Sequence, residues 1–107
     1  MSTAEDFKLK AIIYYAAAED CVSVTKLPLC YTTLALYISS VKFTRGAYSD
    51  WTRSDEILKK VMQKVDSFRQ TEPEAYERLS KDDKSRKLLK ELETMKEELL
   101  NRSTLAG

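Results

Sequence analysis

Histidine does not occur in this chain of 107 residues, and glycine, proline and cysteine occur only twice each. Without imidazole there is no Ser-His-Asp triad, no histidine zinc site and no histidine pH switch. The two glycines, Gly46 and the terminal Gly107, cannot build a glycine-rich phosphate cradle, so nucleotide hydrolysis has no visible apparatus. So few turn residues leave little room for the tight reversals of a sandwich or barrel, whereas long helices need only a handful of connections. Charge of one sign is also missing: 18 basic and 17 acidic side chains leave a formal net charge of +1. The longest run without a formal charge, residues 27–41, contains Thr32, Thr33, Ser39 and Ser40 and falls short of the roughly 20 apolar residues a membrane span needs. A membrane span is not expected. The first ten residues carry Glu5, Asp6, Lys8 and Lys10, which does not fit a signal peptide, so the expectation is a cytoplasmic protein with Cys21 and Cys30 as reduced, buried thiols.

Hydrophobic residues at 43% and charged residues at 33% suit a globular chain, and the length bounds it to one small domain. The expected fold is all-α, a single compact bundle of four to five helices. A first helix over 4–20 starts after Ser2 and Thr3, either of which can cap, and residues 11–18 (AIIYYAAA) are apolar on every side. That segment requires cover on several sides. Residues 21–26 read as a connection, and Pro28 suits the first turn of a second helix over 28–45, closed by Lys42, Arg45 and Gly46 as the residue after its end. Its β-branched and aromatic content leaves a strand or hairpin between positions 22 and 41 open.

A third helix over 54–70 carries Ile57, Leu58, Val61, Met62, Val65 and Phe68 on one face, an arc of about 140° at 100° per residue. Pro73 starts a short fourth helix near 73–80 with Ala75, Tyr76 and Leu79 as its contacts, and a fifth runs from Asp82 or Asp83 to Asn101. In the fifth, Ser85, Leu88, Leu92, Met95 and Leu99 repeat at heptad spacing, while Lys87 with Glu91 and Glu98 with Arg102 form opposite-charge pairs four apart. The chain divides near Gly46 into an apolar helical pair (1–46), with five basic and four acidic residues, and charged amphipathic helices (47–107) with thirteen of each. The expected core is Phe7, Ile12, Tyr14, Leu34, Leu36, Tyr37, Ile38, Ile57, Leu58, Val61, Val65, Phe68, Leu88, Leu92 and Leu99.

Little in this inventory suggests chemistry. Cys30 in the first turn of a helix would have a lowered pKa, but two thiols without imidazole make neither a usual metal site nor a triad. The adjacent acids Glu5 with Asp6, Asp55 with Glu56, and Asp82 with Asp83 each sit at a helix start, where the helix dipole accounts for them. No cofactor, metal or small-molecule substrate is expected. The function expected is a non-catalytic protein-interaction module, a small regulator, inhibitor or accessory subunit that docks an apolar helix face on a protein partner or on a second copy of itself. Its expected interface is Tyr48, Trp51, Leu88, Leu92, Met95 and Leu99. The alternative is a helical nucleic-acid-binding protein that contacts duplex phosphates through Arg53, Lys60, Lys64, Arg86, Lys87 and Lys90.

Overall fold

The computed structural model describes residues 29–48 and 50–106, together with Ala16, which is helical. The rest of the first expected helix, with Phe7, Ile12 and Tyr14, and the 21–26 connection lie outside the described residues. So does Pro28.

The run 27–41 resolves as helix from its fifth residue onward: α1 spans Tyr31–Ala47. The strand alternative therefore fails over 31–41. Burial of Leu34, Tyr37, Ile38 and Val41 on one helical face outweighs the β-propensity of Thr, Val, Ile and Tyr. The helix starts three residues later than Pro28 suggests. Cys30 is the N-cap, with extended backbone (φ −144°, ψ 176°), and its carbonyl accepts from the Leu34 N–H at 2.9 Å. The end also differs from expectation. Gly46 is helical rather than the residue beyond the helix, no described residue has positive φ, and the chain leaves through Tyr48 in extended conformation, whose N–H still reaches the Thr44 carbonyl at 3.2 Å. A left-handed glycine is needed where the chain must reverse at once, and here it first extends through Tyr48.

That placement yields a stability prediction. A Cβ built on Gly46 meets nothing within 4 Å. Gly46→Ala is expected to stabilise the fold by about 0.5–1 kcal/mol, because alanine loses less backbone entropy in a helix. Urea unfolding followed by circular dichroism measures this, and a lowered midpoint would contradict the placement.

The second helix, α2, spans Thr52–Thr71, the third, α3, Pro73–Lys81, and the fourth, α4, Asp83–Ala106. Each N-terminus has a local cause. The Asp50 carboxylate accepts from the Thr52 N–H at 3.0 Å, and the Trp51 carbonyl accepts from the Asp55 N–H at 2.8 Å. Pro73 lies in the first turn of α3, where no N–H is missed. At α4, Asp82 accepts from both the N–H (3.0 Å) and the hydroxyl (2.9 Å) of Ser85. Those two hydrogen bonds, the backbone one first, hold the Asp82 carboxyl below its usual range.

The long helices meet in one apolar cluster. Leu34, Tyr37, Ile38 and Val41 of α1, Ile57, Leu58, Val61 and Val65 of α2, and Leu92, Met95 and Leu99 of α4 are buried there, with Leu29 just ahead of α1. Three buried hydroxyls share the interior without being orphaned. Thr44 donates to the Ser40 carbonyl (2.8 Å), Ser54 to the Trp51 carbonyl (2.9 Å) and Ser85 to Asp82. The short helix α3 has no buried residue and lays half-buried Tyr76 and Leu79 against the cluster as it crosses from α2 to α4. Cross-helix pairs fix the directions. Arg102 near the end of α4 reaches Asp55 near the start of α2, so these two run antiparallel. Lys42 and Arg45 of α1 reach Glu91 and Glu98 of α4 in the same order, so those two run parallel. Among the described residues the fold is all-α, with four helices and no strand.

Three expectations about the core are corrected. Leu36 is 49% exposed rather than buried, and Phe68 and Leu88 are only half-buried at the edge of the cluster. Leu36 points away because Leu34, Tyr37, Ile38, Val41 and Thr44 already define the inward face. The ion pairs differ as well. Glu91 pairs with Lys42 and Glu98 with Arg45, both across to α1, while Arg102 leaves Glu98 for Asp55 of α2. Tertiary partners beside the seam displace the pairs four apart on the same helix.

Candidate functional site

Two surfaces on the described residues combine unusual side chains, and both involve α1. One is its C-terminal end. There the guanidinium carbons of Arg45 and Arg102 lie 4.3 and 4.6 Å from the centroid of the Trp51 ring. Arg102 is held at 2.6 Å from Asp55, and Arg45 stands 3.6 Å from Glu98. Three buried N–H positions, Nε and Nη2 of Arg45 and Nε of Arg102, have no hydrogen-bond acceptor. The indole π-face is the negative surface next to them and takes the place of an acceptor. Beside this cluster Arg53 donates to the Tyr48 hydroxyl at 2.8 Å and lies 4.6 Å from its ring centroid. Two acids meet two half-buried arginines, and the cluster ties α1, α2 and α4 together.

The other surface is the outward side of α1. On a helical wheel at about 100° per residue, Thr32, Leu36, Ser39, Ser40, Phe43, Gly46 and Ala47 fill an arc of about 120°, roughly opposite the buried residues. Leu36 is 49% and Phe43 45% exposed. The two charged residues of α1 lie outside this arc, and both turn to α4, Lys42 to Glu91 and Arg45 to Glu98. The Ser40 hydroxyl is turned back onto its own helix, donating to the Leu36 carbonyl at 2.8 Å. What remains is a stripe without charge, with two large hydrophobic side chains seven residues apart. Single exposed hydrophobics are ordinary on a protein surface; their alignment on an uncharged helix face is what favours a partner.

The expected interface divides on this structure. Leu92, Met95 and Leu99 are buried at 6%, 4% and 5% exposure in the chain's own cluster, and Leu88 is half-buried beside them. The heptad seam of α4 thus finds α1 and α2 as its partner helices and is not presented outward. Tyr48 and Trp51 stay partly exposed but are engaged by arginines. The stripe of α1 is not among the expected interface residues, since the expected core includes Leu36, which is exposed. The signal that could have found it is the uncharged run itself, which is apolar on more sides than one interior face can use.

The basic residues of the alternative reading lie on α2 and α4. Arg53 is stacked on Tyr48, and Arg86 pairs with Asp83 at 3.2 Å. Lys60 and Lys64 are half-buried on α2, while Lys87 and Lys90 are exposed on α4. A cleft among α2, α3 and α4 has Met62, Val65 and Leu92 for its apolar wall and Asp66, Arg69 and Lys96 at its rim. No group of three or more metal-ligating side chains occurs among the described residues, and no described helix is long and apolar enough to cross a membrane.

Cys30 is exposed at the N-cap of α1, not buried as expected. The Thr33 hydroxyl, 3.4 Å from its sulfur, is the largest cause of a thiol pKa held below the usual value, and the N–H groups of Thr33 and Thr32 add to it. Hydrogen bonds to the thiolate favour the charged form. The rate of Cys30 alkylation is therefore expected to rise at a lower pH than for an ordinary thiol, which titrates near about 8.5. In Thr33→Val the rise should move to higher pH; a profile unchanged by that substitution would contradict the role of the hydroxyl.

No family model, curated protein or solved structure matches this chain.

Proposed function

We propose that this chain is a non-catalytic protein-interaction module whose docking surface is the outward stripe of α1. The observation that carries the reading is the coincidence on one helix face of exposed Leu36 and Phe43 with the diversion of both α1 cations to α4. A surface of this kind suits an apolar helix laid alongside, with anchors at spacings of three, four and seven residues. Apolar docking of this kind depends little on ionic strength, whereas phosphate contacts weaken steeply with salt.

Selection of a helical peptide library against the purified chain tests this. Enriched sequences are expected to carry apolar residues at helical spacing and to bind equally at low and high salt. Leu36→Glu with Phe43→Glu should weaken that binding by at least about 100-fold, because two charges would be desolvated in the contact. Both sites are surface positions, so stability should change by no more than about 0.5 kcal/mol each. Peptides that bind the double variant as well as the parent would overturn the reading. Retention on duplex RNA or DNA only at low salt, lost in Lys60→Glu with Lys64→Glu, would replace it with phosphate binding by the basic faces.

A further inference from the structure

The cleft among α2, α3 and α4 joins an apolar interior to a charged mouth. Val65 of α2 and Leu92 of α4 are buried in its wall, with half-buried Met62 and Leu89 beside them. Asp66 and Glu93, the chain neighbours of Val65 and Leu92, are exposed at the rim, and Arg69 and Lys96 line it one turn further along each helix. The cavity measures about 70 Å³. An apolar cavity of about 150 Å³ holds benzene, so this one has room for a branched chain of about three or four carbons and not for an aromatic ring.

The rim offers charge of both signs. Asp66 and Arg69 are three apart on one helix, as are Glu93 and Lys96, the spacing at which Asp83 and Arg86 pair at 3.2 Å. Among the described residues no ion pair forms between Asp66 and Arg69 or between Glu93 and Lys96. Arg69 instead has the Tyr76 ring, whose centroid lies 5.7 Å from its guanidinium carbon and which holds this cation at the α3 end of the cleft. The chain enters α3 from α2 and leaves it into α4, so Lys96 falls toward the opposite end, and the two carboxylates lie between the two cations. Side chains one turn apart have Cβ atoms about 5–6 Å from each other, a span that the ammonium and carboxylate on a single α-carbon can bridge.

We propose that this cleft binds a free aliphatic α-amino acid of the valine or leucine class. Its ammonium donates to Asp66 and Glu93, its carboxylate accepts from Arg69, and its side chain displaces water from Val65 and Leu92. Such a ligand complements the site in each part: two charges of opposite sign on one carbon, and a branch small enough for the cavity. An interior residue of a peptide carries neither charge. Bound between α2 and α4, the ligand adds to the stability of the folded chain, as any ligand of the native state does. The inference does not involve α1 and is independent of its reading as a docking surface.

The test is a titration of the full-length, isotope-labelled protein with L-leucine, followed by amide chemical shifts. Saturable changes are expected within 62–69 and 89–96. Affinity should fall at least about ten-fold for 4-methylpentanoate, which lacks the ammonium, and for 3-methylbutylamine, which lacks the carboxylate, as loss of a charged hydrogen bond requires. Phenylalanine should bind more weakly than leucine, because its ring exceeds the cavity. Arg69→Gln and Asp66→Asn should each weaken leucine binding by a similar factor; both residues are exposed, and circular dichroism checks that the helices persist. No saturable change by about 50 mM leucine, where binding carries almost no free energy, would overturn the proposal. So would equal binding of 4-methylpentanoate, which would make the site one for simple carboxylates, or leucine binding that both variants retain.

Discussion

Leu99→Ala is expected to destabilise the folded chain by about 2–5 kcal/mol, the range for removing a large side chain from a packed interior. Leu99 is 5% exposed in the cluster that joins α1, α2 and α4. The total stability of a domain this size is only about 5–15 kcal/mol, so one truncation takes a large share of it. Leu99→Asp goes further, because it puts a carboxylate into the apolar cluster that Leu99 helps to fill, and it should lower the unfolding midpoint more than Leu99→Ala does. Urea unfolding followed by circular dichroism reads both variants. If instead the seam of α4 served an external partner, Leu99→Ala would leave the unfolding midpoint in place and change only association. That result would contradict the packing of α4 on its own chain.

Arg102→Ala is expected to cost about 1–3 kcal/mol, more than a surface ion pair provides, since exposed pairs contribute about 0–1. Three losses combine at this residue. The 2.6 Å contact to Asp55 disappears, and Asp55, whose side chain is 19% exposed, is left partly buried without its cation. The guanidinium over Trp51 also goes, and with it one of the two cations on that ring. The arginine side chain itself is 33% exposed, which keeps the cost below that of a fully buried pair. Because Trp51 is the chain's one tryptophan, its fluorescence reports this junction directly. Arg102→Ala should shift the emission and lower the midpoint together, and Arg102→Lys should recover only part of the loss, since an ammonium does not stack on indole as a planar guanidinium does. An unchanged midpoint with altered emission would mean the cluster ornaments the surface without tying α4 to α2.

Much of the helical skeleton is legible from residue spacing. The face of Ile57, Leu58, Val61 and Val65 reads directly as the buried side of α2, and Pro73 and the Asp82 and Asp83 pair mark the starts of α3 and α4 to within a residue. What misled was local chemistry that tertiary context overrode. Pro28 suits a first helical turn, yet the cap falls to Cys30; Gly46 suits a helix end, yet the helix continues through it. The same holds for charge. Glu91 and Glu98 lie seven apart beside the seam, so both face α1 once the seam is buried, and Lys42 and Arg45 draw them away from their neighbours on α4. The heptad of α4 announces a partner helix without saying whose. Only the arrangement of three helices shows that the partners are in the same chain, and that Leu36 and Phe43 are among the large hydrophobic side chains left exposed.

The most direct test of α1 as the docking surface is a map of amide chemical shifts in isotope-labelled protein on addition of a selected helical peptide. Changes are expected to concentrate at Thr32, Leu36, Ser39, Ser40, Phe43 and Gly46, with little effect of salt on the affinity. Changes confined to Lys60, Lys64, Lys87 and Lys90, or to the cleft lined by Met62 and Tyr76, would contradict it and place recognition on α2 and α4 instead.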